Sequence, residues 1–170
     1  MSIDLDEWRA DRGRWRVAAY AEATDEDGLP DDANREQRAQ ALALLLRDRR
    51  DSDAELLAYL LEQEVLAHGA SWGIDDSIRL AALLLSECGR AEDVWLLWMA
   101  KTANFDTLMG LDGCLLYPAG VSETIAYVES SDHPDRDEVV RKLTEYLVHQ
   151  PTSEQELGDR LSGLRKYHAE

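Results

Sequence analysis

Most of this chain repeats one pattern: leucines and alanines spaced three and four residues apart, in stretches bracketed by helix caps and by glycine or proline. That spacing gathers apolar side chains on one side of an α-helix and scatters them over both faces of a strand. The first such segment predicts a helix from about Asp6 to Glu22, with Trp8, Trp15 and Ala19 on one face. An acidic loop, Thr24 to Asp32, follows and leads into a second helix, about Ala33 to Arg49, with Ala39, Leu42, Ala43 and Leu46 as its stripe. Ser52-Asp53-Ala54-Glu55 reads as a capping box opening a third helix that runs to about His68 and ends at Gly69.

Asp75 caps a fourth helix bearing Ile78, Ala81, Ala82, Leu84, Leu85 and Cys88, which stops at Gly89. The fifth starts with Glu92 and Asp93 and reads Val94-Trp95-Leu96-Leu97-Trp98-Met99-Ala100. Apolar on every side, it is expected to be the most buried helix, with Trp95 and Trp98 packed beside Leu84 and Leu85. Beyond Asn104 the pattern weakens. Phe105 to Tyr117 reads as a short helix interrupted by Gly110 and Gly113, and Val121 to Glu129 as a short amphipathic piece. Pro134 opens a further helix that ends before Pro151, and Thr152 with Gln155 forms a capping box for the last one. The expectation is an all-α fold, a compact array of about eight helices in a hairpin stack or an orthogonal bundle. One domain covers 1–170, with the first helix and acidic loop of 1–32 packed on a main array of 33–170.

The 35 acidic residues against 18 basic ones give a formal charge of −17. Such a surface repels phosphate backbones, which argues against nucleic acid, and attracts cationic partners, which points to a basic protein. The acidity is concentrated: Ser52 to Ser130 contains 13 acidic side chains and only Arg79, Arg90 and Lys101 as cations. Arg9, Arg12, Arg14 and Arg16 lie on the first helix, which is expected to dock on the acidic middle. No apolar run approaches the roughly 18 residues of a membrane span. The acidic start, Met1-Ser2-Ile3-Asp4-Leu5-Asp6-Glu7, does not read as a signal peptide. Two isolated cysteines, Cys88 and Cys114, suit a reducing, cytoplasmic setting with buried thiols. Lys101, Lys142 and Lys166 are the sole lysines, a bias expected of a GC-rich bacterial genome.

Asp75 to Asp106 has small Ala82 midway along its first helix, Gly89 at the turn and aromatic Trp98 midway along its second. In these respects it resembles a tetratricopeptide-type helical hairpin, in one copy covering about a fifth of the chain. Leu85 and Lys101 stand where that pattern carries a tyrosine-like residue and a later alanine. The resemblance implies an α-solenoid that binds partners and brings no catalytic residues.

No P-loop, dinucleotide fingerprint, HExxH, GxSxG or zinc spacing occurs, so neither a metal nor another cofactor is expected. On the third helix, Glu64 and His68 fall one turn apart inside the arc of Leu56, Leu57, Leu60, Leu61 and Val65. A carboxylate and an imidazole there require partners, as a structural pair or as the wall of a polar pocket. Lys101, isolated on the most apolar helix, is a snorkelling lysine at a helix end, the cation of a mostly acidic cleft, or a partner for Glu64. Asn104, Asp106 and Asp112 follow where the helical pattern fails and complete the candidate pocket. Glu145 and His149 share the four-residue spacing but lie on the polar side of their helix, as surface residues. Two functions follow from these features. One is a non-enzymatic interaction module, a scaffold or an inhibitor or immunity-type protein with an acidic binding face. The other is a small-ligand-binding or catalytic protein built around Glu64, His68 and Lys101.

Overall fold

The computed structural model describes residues 3–150 and 152–169. Met1, Ser2 and Pro151, which enter the readings of the N-terminus and of the last interhelical turn, lie outside the described residues. Nine α-helices and one two-stranded hairpin are present among the described residues.

The single long first helix is replaced by three short elements. Helix α1 (Leu5–Ala10) is capped by the Asp4 carboxylate, which accepts the N–H groups of Asp6 and Glu7. It stops because the Asp11 carboxylate accepts the Gly13 N–H, an alternative to continuing the helix, and a 3₁₀ helix follows over Arg12–Ala18. The expected acidic loop is instead an antiparallel hairpin of β1 (Glu22–Thr24) and β2 (Pro30–Asp32), with Glu22 opposite Asp32. Its tip is tied by the Asp25 carboxylate, which accepts from the N–H groups of Asp27 and Leu29.

Helix α2 (Arg35–Arg47) buries Arg38, Ala41, Leu42 and Leu45, while Ala39 and Ala43 are exposed. The stripe is thus rotated from the one expected, because its first member is a charged residue. Helix α3 (Ala54–Gly69) is entered through a 3₁₀ turn, Asp51–Asp53, in which the Asp53 carboxylate accepts the Arg50 N–H. That bond displaces the expected Ser52 cap. Helix α4 (Asp76–Ser86) buries Ile78 and every residue from Leu80 to Ser86, and α2 and α3 pack on it.

Gly89, at φ +73°, makes the turn into α5 (Val94–Lys101) in a conformation that side-chain-bearing residues rarely adopt. Helix α5 packs on α3 and α4, burying Leu97 and Trp98, but Met99 is exposed and Trp95 and Leu96 are only half-buried. Helix α4, not α5, is therefore the most buried. Trp95 stacks on His133 at 3.9 Å, outside the fully buried cluster of Trp98, Leu84 and Leu85.

Helix α6 (Phe105–Gly110) and a 3₁₀ turn, Gly113–Leu116, occupy the interrupted stretch. Gly113 is required there, since a Cβ would lie 2.2 Å from the Tyr146 ring. Helices α7 (Val121–Ser130) and α8 (Arg136–His149) pair with each other. Helix α9 (Glu154–Ala169) starts with a Ser153/Glu156 capping box, one residue beyond the Thr152/Gln155 pair expected. It returns to α4, with Arg165 bonded to the Leu46 carbonyl and the Glu87 carboxylate, which closes the array on itself. One hydrophobic cluster runs from Ile3 to Leu157. The N-terminal arginines meet acidic partners: Arg9 bonds Asp53 and Asp48, and Arg12 pairs with Glu55.

Candidate functional site

Two features of α3 stand out, one on each side of the helix. The first is polar and internal. Glu64 is 1% exposed and His68 3%. The Glu64 carboxylate accepts from Arg38 Nε at 2.8 Å and from the Ser77 hydroxyl at 2.9 Å. Arg38 also donates to the Ala18 carbonyl at 3.3 Å and to the Asp32 carboxylate. Asp32 accepts two further N–H groups, from Ala21 and Asn34. His68 Nε2 can only accept from the Asp75 N–H, at 3.2 Å, so Nδ1 carries the proton and donates to the Glu64 carbonyl at 2.8 Å. The imidazole is therefore satisfied at both nitrogens.

This cluster joins the hairpin, α2, α3 and α4 through one guanidinium. Burial alone would raise the Asp32 carboxyl, but the Ala21 N–H and Arg38 hold it below its ordinary value. Burial would likewise lower the Arg38 guanidinium, and Glu64 and Asp32 outweigh that and raise it. A cavity of about 140 Å³ reaches Arg38, Glu64 and His68, with Trp72, 90% exposed, at its mouth.

The other expected pocket residues do not line that cavity. Asn104 Nδ2 lies within bonding distance of the His68, Ser71 and Gly73 carbonyls, and Asp106 accepts the Gly73 N–H at 2.8 Å. Both brace the α3–α4 loop from outside. Lys101 is 2% exposed, so it does not snorkel, and Glu64 is not its partner. Its Nζ donates to the Leu108 and Leu111 carbonyls, each at 2.7 Å, at the C-terminal end of α6. Burial pushes the Lys101 ammonium below its ordinary pKa, and the Asp112 charge opposes that. Asp112 itself accepts from Arg160 and the Cys114 N–H. Glu145 is half-buried and bonds Arg141 and Lys142, and His149 is exposed.

The second feature is apolar and open, and no polar motif could have marked it. Ala58, Val65 and Leu66 of α3 face Trp95, Leu96 and Met99 of α5 across a groove of about 520 Å³. Leu66 and Met99 are each 54% exposed. Exposed Glu62, on α3, and Glu92, in the 3₁₀ turn Ala91–Asp93 that leads into α5, stand at the rim. The available signal was the all-round apolarity of Val94 to Ala100, which needs a neighbour on every side and among the described residues has none that covers Met99.

Among the described residues no group of three His, Cys, Asp or Glu side chains is placed to hold a metal ion. Nor is any helix there long and apolar enough to cross a membrane. Burial raises the pKa of both thiols, Cys88 and Cys114, which leaves them protonated and weakly nucleophilic. Comparison of the chain with protein-family models, curated proteins and solved structures finds no match.

Proposed function

We propose that this protein is a non-catalytic binding module that docks another protein in the groove between α3 and α5. The observation that carries this reading is the groove: two half-exposed apolar side chains, Leu66 and Met99, beside Ala58, Val65, Trp95 and Leu96. Large apolar side chains gathered in one exposed concavity mark interaction surfaces far more often than scattered single ones do. The polar cavity favours a structural role for Glu64 and His68, because both carboxylate oxygens of Glu64 and both ring nitrogens of His68 are already bonded within the chain. A general base requires a lone pair or a proton still open to its substrate, which His68 lacks, and a carboxylate ion-paired with Arg38 is a weak base. The segment 75–106, with its resemblance to a partner-binding helical hairpin, supplies the α5 wall.

A photo-crosslinking residue at position 99, with the same residue at exposed position 141 as control, tests the reading in cells. The expected result is a partner captured from position 99 alone. In a two-component titration with purified proteins, that partner should then lose at least about tenfold in affinity to a Leu66→Asn/Met99→Asn variant, which is about 1.4 kcal/mol. A partner whose affinity ignores both substitutions would place the interface elsewhere.

A further inference from the structure

The chemistry of the two groove walls specifies an occupant. We infer that the groove binds a basic amphipathic α-helix of a different protein, an inference that rests on the groove being the docking site. Three observations carry it.

The first is backbone accounting. Both walls are helices whose main-chain groups are already paired within themselves, and the hairpin at Glu22–Asp32 is the sole sheet among the described residues. The groove therefore offers no free edge to an extended strand. A chain entering it has to satisfy its own N–H and C=O groups, and a helix does that.

The second is length and shape. The α3 wall is lined from Ala58 to Leu66, eight steps along the helix, which at 1.5 Å each span about 12 Å, or about two helical turns. A third helix laid between two packed ones would present apolar residues at positions i, i+4 and i+7 or i+8 to that floor.

The third is charge. Helix α3 contains no lysine or arginine, and the one cation of α5, Lys101, is buried and bonded to the Leu108 and Leu111 carbonyls. Neither wall therefore presents a cation to solvent. Glu62 has no ion-pair partner among the described residues. Glu92 is 3.9 Å from Arg90, a guanidinium held mainly by Asp93 at 2.5 Å. The rim is thus acidic on both sides of an apolar floor, and the whole chain carries −17. A second copy of this chain would bring like charge against like, so the complementary occupant is a different, cationic protein.

The test is selection from a displayed library of amphipathic helices of about four turns. Their apolar stripe is fixed and their flanking positions are randomised among Lys, Arg, Glu, Gln and Ser. Selected helices are expected to be enriched in Lys and Arg on both flanks and to shift the Met99 methyl resonance. They should weaken by about tenfold or more with Leu66→Asn/Met99→Asn. A Glu62→Gln/Glu92→Gln variant should weaken them by several-fold and flatten their salt dependence, since rim charges act through a screening length of about 8 Å at physiological salt.

Selected helices with neutral or acidic flanks that still need Leu66 and Met99 would overturn the charge inference and leave the groove as the docking site. Selected helices indifferent to Leu66→Asn/Met99→Asn, or a library yielding no binder, would overturn the groove reading itself. Concentration-dependent self-association in sedimentation equilibrium, abolished by Leu66→Asn/Met99→Asn, would make a second copy the occupant and overturn the inference.

Discussion

The two sides of α3 invert the usual arrangement of polarity. On the side facing α2 and α4, Glu64 and His68 are buried among leucines, and each is bonded to a specific partner. On the side facing α5, Leu66 and the facing Met99 are half-exposed to water with nothing over them. A buried charge is costly until it is paired, and here the pairing is internal: Arg38 carries Glu64 and Asp32 together. An exposed apolar groove is costly until it is covered, and no described residue covers it. The first arrangement is complete without a ligand, and the second is not. Oddity in sequence and incompleteness in structure thus point to different sides of one helix.

The largest expected effect is on the polar side. Arg38→Met removes the cation and leaves two buried carboxylates facing each other, so unfolding free energy should fall by about 3–5 kcal/mol in denaturant melts. A loss under about 1 kcal/mol would mean that water reaches the cluster, and the contrast with the groove would collapse.

Glu64→Gln sharpens the comparison within that cluster. Its amide oxygen can still accept from Arg38, but the charge opposite the guanidinium is gone, and a cost of about 1–3 kcal/mol is expected with the fold retained. Thermal and denaturant melts would read it, and equality with Arg38→Met would deny Arg38 its central place.

Lys101 contrasts in another way, as a buried cation met by carbonyl dipoles rather than by a bonded carboxylate. Its folded pKa lies below the ordinary 10.5 because of burial, with Asp112 opposing. Between the folded value and 10.5 the unfolded chain holds a proton that the folded one has lost, so raising pH through that window stabilises the fold. The stability of the native protein relative to Lys101→Met should therefore rise with pH across that interval. Parallel pH profiles for the two proteins would show that the ammonium is solvated.

The smallest effect belongs to the open side. Leu66→Asn and Met99→Asn should each change stability by no more than about 0.5 kcal/mol, because neither side chain is enclosed. A loss above about 2 kcal/mol would show that the groove floor is part of the core and that its exposure has no bearing on partners.

Some of this was legible from residue order. The helices from α2 onward, the turn at Gly89, and the burial of Glu64 and His68 follow from signals that each segment carries by itself, although Asp75 stands at the start of α4 without a side-chain capping bond. Arg38 was hidden because it occupies the first place of an apolar stripe, 38, 41, 42 and 45, and its charge shifts the apparent face toward Ala39 and Ala43. The hairpin was hidden for a different reason. Its three-residue strands show no apolar alternation, and Asp32 is held by Arg38 and the Ala21 N–H, neither of which is its strand partner. Lys101 finds carbonyls seven and ten residues further on, a pairing that no spacing rule contains.

Helix formation is decided locally, by bonds between residues four apart and by the angular spacing of apolar side chains, so the sequence by itself determined an all-α chain and the inward turn of Glu64 and His68. Whether an apolar face is covered depends on which distant segment passes over it. Helix α9 returns to cover α4, with Arg165 reaching Glu87 across 78 residues, while no described segment covers the facing sides of α3 and α5. That difference arises from long-range packing, and only the tertiary structure decided that the groove stays open.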